Sequence, residues 1–589
     1  MAKVFYYLLC ILIILLVITT GFFYFGKNIL GKPAINQPFS EPENKQIIQD
    51  QDLSIAGGVV PHHLAAKPII DQFWQKISGQ KPGTIILLSP DHFNKGELSE
   101  IPKLITVGLG ESKFENINVA QDLLAKFAAD KFTFDSADLE MDHGILAQLN
   151  FIKKYLPESK ILPFLIPADI SGAQISDFTK QIAVNADSQT VVIASVDFSH
   201  YLPRQAADLH DAKSLAALVD FNKEQFSDLE VDCWQCLYAS HLYAQLKNKD
   251  DAEVLAHKNS LDFLAPLDPE KTTSYFTIIF NQSLMPAKNL DTKTLLFVGD
   301  LMLDRGVEDL MSKNSLYYPF EQINQFFRGV DVVFANLEGP IVKNPPKFPD
   351  HSLQFAFAPQ VTTAMNFSGI NLVSLANNHI SNMGSDGLQQ TREFLKENKI
   401  NFAGDPNKCS KDFAYQNDFL ILLAFNKTNS ACTSEEILKT ITEIKAENKN
   451  KLLVVSIHWG QEYKTSNTDW QQKLGRQMID AGADVIIGHH PHVVENIESY
   501  KNKLIFYSLG NFVFDQYFSK NTQEGLAVGL ELNNNKLIYR LFPLQLNSSQ
   551  PHLMKQTEAD KFLEVLANKS SEDLKEKIKS GIIEMKSEL

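Results

Sequence analysis

Hydrophobic and polar positions divide the chain into an apolar start, a short polar stretch and two long blocks of mixed character. Residues 4–25 contain no charge. As a helix, such a run reaches about 33 Å, enough to cross a hydrocarbon layer of about 30 Å. It ends in Gly21-Phe22-Phe23-Tyr24-Phe25 instead of a small-residue cleavage site. The expectation is an uncleaved N-terminal transmembrane helix and a single-pass protein of the cell membrane. Lys3 on one side and Lys27 and Lys32 on the other leave its orientation unset by charge. Residues 27–50, rich in Pro, Asn, Gln and Glu, read as a linker.

Across 51–280, apolar runs at 84–88 and 191–194 have the character of buried strands, and 119–129 and 145–155 have helical spacing. The alternation predicts an α/β domain. Residues 281–293 form a polar link, and a second α/β block spans 294–546. The remainder, 547–589, is charged with helical spacing and reads as a solvated tail.

Composition narrows the function classes. A 589-residue chain with 21% charged residues can build several cores. Its net charge of -15, with no local basic patch, excludes nucleic acid as a partner. The cysteines, Cys10, Cys233, Cys236, Cys409 and Cys432, are too few for a disulfide scaffold. Cys233 and Cys236 read equally as a disulfide or an inert pair.

The second block carries the clearest chemistry. Six apolar runs (295–298, 332–335, 372–376, 452–457, 485–487 and 504–509) each end in polar residues of one chemical kind. These are Gly299-Asp300, Asn336-Leu337-Glu338-Gly339, Asn377-Asn378-His379, His458-Trp459-Gly460, Gly488-His489-His490-Pro491-His492 and Gly510-Asn511. Strand ends in α/β folds converge on one edge, and Asp, Asn and imidazole are ligands for divalent transition metals. Two such ions could clamp a phosphoryl oxygen and acidify a bound water.

These strings, from Gly-Asp-Leu-Met-Leu-Asp-Arg (299–305) to Tyr-Ser-Leu-Gly-Asn-Phe-Val-Phe-Asp (507–515), resemble the CapA family, associated with poly-gamma-glutamate capsule synthesis. The resemblance implies a calcineurin-like metallophosphoesterase fold, an αββα sandwich holding two divalent ions (Mn, Zn or Fe). It implies Asp300, Asn378, His458, His490 and His492 as ligands. Asn336 or Glu338 takes the bridging place; His379 acts on the leaving oxygen as a general acid or steadies the transition-state charge, and Asp300 counts with it as catalytic. Capsule or envelope polymer and its synthesis machinery are the implied partners, with the domains extracytoplasmic. Two positions depart from the pattern: Met302 stands where related phosphoesterases have His, and Asn382 where CapA chains commonly have Asp.

The first block holds a second series: Pro61-His62-His63, Asp91-His92, Asp142-His143, Asp197-Phe198-Ser199-His200 and Asp232-Cys233-Trp234-Gln235-Cys236. It resembles the Memo family (AmmeMemoRadiSam system protein B), whose fold is shared with class III extradiol dioxygenases. The resemblance implies one iron, copper or zinc held by His62, His92 and Cys233, with Asp197 and His200 close by. Three functions follow as expectations. The first is a metal-dependent hydrolase of envelope polymer synthesis. The second is a non-catalytic assembly subunit of the same machinery. The third is a redox or metal-sensing protein acting through the first block.

Overall fold

The computed structural model describes residues 55–589 apart from 94–101, 128–130, 250, 264–267, 283–289, 350–351, 430, 534–535 and 588–589. The apolar run at 4–25 lies outside the described residues. Among the described residues no helix is long and apolar enough to cross a membrane. The longest of them, Arg204–Val219, has 16 residues, short of the roughly 20 that a bilayer requires. This corrects the expected transmembrane anchor, the single-pass membrane localisation with its extracytoplasmic domains, and the membrane partnership.

In the first half, Gly57–Val60, Thr190–Ser195, Thr84–Pro90 and Lys160–Ile166 lie side by side and parallel. Their near-continuous apolar runs suit strands covered on both faces, here by helices that include Lys67–Ser78, His143–Tyr155 and Gly172–Asn185. Antiparallel strands Thr272–Asn281 and Asp251–Asn259 extend one edge. The helix expected at 119–129 shrinks to Gln121–Leu124, because Val119 is held extended by its bridge to Ile161.

The second half stacks two sheets. One runs Asn401–Ala403, Leu372–Ser374, Val332–Leu337, Lys293–Leu301, Glu524–Asn533, Lys536–Asn547, Gln550–Leu553. The other contains the parallel strands Leu420–Asn426, Leu452–His458, Val485–His489 and Lys503–Phe506. The period of two along a strand sorts the side chains. Leu295 and Phe297 join Leu452, Val454, Val485 and Ile487 in the core between the sheets, while Leu296 and Val298 face an outer core. Helices Ser434–Glu447 and Asp469–Asp480 cover the second sheet's far side.

The tail differs from expectation. Helix Gln556–Lys569 buries Leu563, Leu566 and Ala567 in the intersheet core, and strand Ile582–Lys586 pairs with Lys536–Asn547. Its charges occupy only the outward face, which hid the apolar stripe.

Residues 53–589 form one compact unit. Leu202, Ala206 and Leu209 of the first half sit inside the second half's outer core. Around them Lys213 Nζ lies 3.2 Å from Asp331, and Arg540 Nε donates to Glu531 at 2.6 Å while Nη1 lies 3.6 Å from Asp208.

Candidate metal centres

In the second half, parallel strands of both sheets bring their carboxyl ends together. Asp300 is opposite Asn336 and Asn511 in register, and His458 is opposite His489. The approach is close: a Cβ on Gly299 would lie 1.9 Å from the Gly510 carbonyl oxygen, so only glycine fits.

Two donor sets lie there, Asp300 with Glu338 and His458, and Glu462 with His490 and His492, the ligand atoms of each within 4.8 Å of one another. They adjoin: His492 Nδ1 is 3.1 Å from Asp300 Oδ2 and 4.0 Å from Glu338 Oε2. The His458 and His490 ring centroids are 4.8 Å apart. Asn336 Nδ2 donates to Asp300 Oδ1 at 2.9 Å, and Asn336 Oδ1 accepts from Asn377 at 3.1 Å. Asn336 thus braces the carboxylate. Asn378 Oδ1 accepts from His458 Nε2 at 2.7 Å, and Asn378 Nδ2 donates to His379 Nε2 at 3.0 Å. His379 rests on Phe355, with Nδ1 3.4 Å from Asn382 Oδ1. Met302 turns into the core, its sulfur accepting from the Asp304 N–H at 3.1 Å, so this turn adds no imidazole. Left-handed backbone at His490 (φ 97°), His492 (φ 59°) and neighbouring Tyr463 (φ 65°) concentrates strain at the cluster.

Burial governs the charges. It pushes Glu338 well up, helped by repulsion from Asp300. Burial works against charge on Asp300, but the neighbouring His489 and His492 imidazoles outweigh it and hold the carboxyl well below its usual range. Burial opposes charge on His492, but Glu338 and Asp300 overcome it and raise the imidazole to about 9. Burial lowers His379 and His490 to about 4.

In the first half, His62, His92 and Asp197 follow the ends of three adjacent parallel strands, Gly57–Val60, Thr84–Pro90 and Thr190–Ser195. His62, His92 and His143 form one donor set and His62, Asp197 and Asp232 another, so His62 joins them into a five-residue cluster. His62 Nε2 lies 3.5 Å from Asp197 Oδ2 and 3.4 Å from Asp232 Oδ2, while Nδ1 faces the Ser195 carbonyl at 3.2 Å. Asp142 Oδ2 accepts from His92 Nδ1 at 2.9 Å and fixes that ring. Desolvation takes His62 to about 3 and raises Asp197 and Asp232.

Cys233 is not among these donors. It is bonded to Cys236, and a disulfide sulfur offers no thiolate, which corrects its expected role as a ligand. His200 also stays outside both donor sets. Its position on strand Phe198–Leu202 is fixed from the second half, where Gln325 Nε2 donates to its carbonyl at 2.8 Å.

Sequence reasoning missed three donors. Asp232 was hidden by the cysteine beside it. His143 was noticed as part of a string but not chosen. Glu462 lies in a loop after Trp459-Gly460-Gln461, with no strand end to mark it. The residues in both clusters fit metal. Five of the eleven buried polar side-chain atoms lacking a hydrogen bond among the described residues lie there: Asp232 Oδ1, Glu338 Oε2, both His489 nitrogens and His490 Nδ1. Buried polar groups are otherwise nearly always paired, and Asp232, Glu338 and His490 belong to the donor sets, so their free atoms suit a cation.

A family model described as bacterial capsule synthesis protein matches residues 294–516, and one described as Memo-like protein matches 21–276. The chain is 31% identical over 296 residues to the capsule biosynthesis protein CapA of Bacillus anthracis, covering 46% of this chain and 72% of that one. It is 32% identical over 281 residues to the PGA biosynthesis protein CapA of Bacillus subtilis, covering 44% and 73%. A MEMO1 family protein of Caldivirga maquilingensis is 22% identical over 253 residues, covering 41% and 88%.

Proposed function

Because the chain belongs through its C-terminal half to the CapA family of capsule synthesis proteins, with a Memo-like domain before it, we propose that it is a metal-dependent phosphoesterase-type hydrolase serving capsule or envelope polymer synthesis. We place the Memo-like unit at 51–280 and the CapA-like unit from 294 onward. The observation that carries the reading is the pair of adjoining donor sets built by Asp300, Glu338, His458, Glu462, His490 and His492. These residues would hold two divalent ions, with Asn378 and Asn336 beside them. Such ions would supply Lewis-acid polarisation of a phosphoryl oxygen and a water of lowered pKa.

The chain's own groups set the rest. Asn336 fixes Asp300, and Asn511 with Asp300 fixes the His492 ring. His379 is neutral near pH 7, and to serve a leaving oxygen it would exchange its hydrogen bond to the Asn378 amide or to Asn382 for one to substrate. The exposed aromatics Tyr463 and Phe518 stand edge to face beside the cluster, where a substrate would enter.

The test is turnover of a generic phosphodiester by the metal-loaded full chain and its loss in Asp300→Asn. A chain that binds two ions yet hydrolyses nothing would instead favour the non-catalytic assembly subunit, the reading that Met302 supports. The first-half cluster supports a separate metal-binding role, redox or sensory.

A further inference from the structure

The tail reaches the second-half centre from behind. Lys569, the last residue of helix Gln556–Lys569, donates from its ammonium to two backbone carbonyls, Thr465 at 2.9 Å and Val494 at 2.7 Å. These lie in the two loops that carry Glu462, His490 and His492. The next residues extend the seam: Ser570 Oγ accepts the Ile497 N–H at 2.9 Å, and Ser571 Oγ accepts the Ser499 N–H at 3.1 Å. Leu563 and Leu566 anchor the helix itself in the core between the sheets.

Of the two donor sets, this one depends on such support. Asp300 and His458 stand on strands and Glu338 directly follows one, whereas Glu462, His490 and His492 all lie in loops. Left-handed backbone at Tyr463, His490 and His492 persists only where its surroundings enforce it. The loops are tied to each other, the Tyr463 N–H donating to the Pro491 carbonyl at 2.8 Å and the Asn467 N–H to Asn496 Oδ1 at 3.0 Å. Lys569 ties both of them to the tail. A lysine on a helix surface ordinarily keeps its head in water. Here burial lowers the amine to about 8, against the pull of Glu495 and Glu524.

We propose that Lys569 is a positioning residue of the second-half centre, holding the loop-borne donors Glu462, His490 and His492 in place for one of its two ions. The tail is then a working part of that centre. The proposal rests on the reading that the second half binds two divalent ions.

The experiment uses the full chain carrying His92→Ala, which disables the first-half cluster, titrated with Mn2+ and followed by electron paramagnetic resonance. Two ions about 3.5–4 Å apart give a coupled spectrum, and an isolated ion does not. Lys569→Met should weaken one ion about tenfold, as loss of support behind a ligand does, and leave the other within about twofold. The coupled spectrum should give way to that of a single ion. Lys561→Met, which removes an exposed charge from the same helix, should leave both ions and the coupling unchanged. Both ions held as in the parent by Lys569→Met, or both weakened equally, overturns the proposal and leaves the centre standing. No Mn2+ removable from the parent by Asp300→Asn overturns the two-ion reading itself. Should Lys569→Met fail to fold, acetylation of the parent decides. Coupling is reciprocal, so filling the centre with Mn2+ should slow labelling of Lys569 at least about fivefold and leave Lys561 unchanged. Equal labelling of Lys569 with and without Mn2+ overturns the proposal.

Discussion

His492 Nδ1 lies 3.1 Å from Asp300 Oδ2, with both side chains buried, and so joins the two sheets of the second half at the edge where their strands converge. Asp300 comes from one sheet and His492 from the loop leaving the other. The contact explains why motifs nearly 200 residues apart can share one ligand.

Asp300→Asn should weaken divalent metal binding in the second half by at least about tenfold, as loss of an ion's carboxylate ligand or its support commonly does. Metal content after gel filtration of the full chain checks this. Unchanged stoichiometry at micromolar metal would remove Asp300 from the ligand set.

Asp142→Asn should act at a distance from the first-half ion. It keeps an acceptor for the cap of helix His143–Tyr155 but weakens the hold on His92 Nδ1. Metal affinity should fall about tenfold with little change in melting temperature. Chelator competition beside a thermal melt separates the two effects.

Glu495 is buried, accepts from Gln471 at 2.9 Å, and is raised by burial to about 7, against the favourable pull of Gln471 and Lys569. A raised carboxyl keeps its proton in the folded state longer than in the unfolded one, so stability falls as pH rises from about 4.5 through 7. Glu495→Gln should remove that fall, leaving the variant more stable than the parent by about 3 kcal/mol at pH 8 and nearly equal at pH 4.5. Unfolding in urea at the two pH values gives the comparison; equal stability at pH 8 would refute it.

Lys213→Met should leave the half-buried Asp331, which keeps its hydrogen bonds from Thr294, without its cation at the junction of the halves. Because Asp331 keeps those hydrogen bonds, the cost should fall below the roughly 3–5 kcal/mol of breaking a fully buried pair. Calorimetry should show one transition shifted down. A second, unshifted transition would mean that the halves melt independently.

Much of this was legible in the sequence. The parallel strands announced themselves as uninterrupted apolar runs, and Asp300, His458, His490 and His492 stand at the ends of such runs. What stayed hidden depended on contacts between distant segments. Glu462 has no strand end beside it, and Asp232 sits next to a cysteine that draws attention first. That the Asn336 amide donates to Asp300 likewise depends on two separate strands meeting. The stripe of Leu563, Leu566, Leu574 and Ile578 was masked by the charges between. The anchor rested on apolar length, which states a capacity and not a conformation.

Leu202, Ala206 and Leu209 are apolar because the neighbouring half covers them. Severing the gene at the polar link would therefore give two products with greasy scars, prone to clump. The fusion has thus become hard for descent to undo: once these surfaces turned oily, separation would require several simultaneous substitutions on both sides, and the two centres are inherited as one.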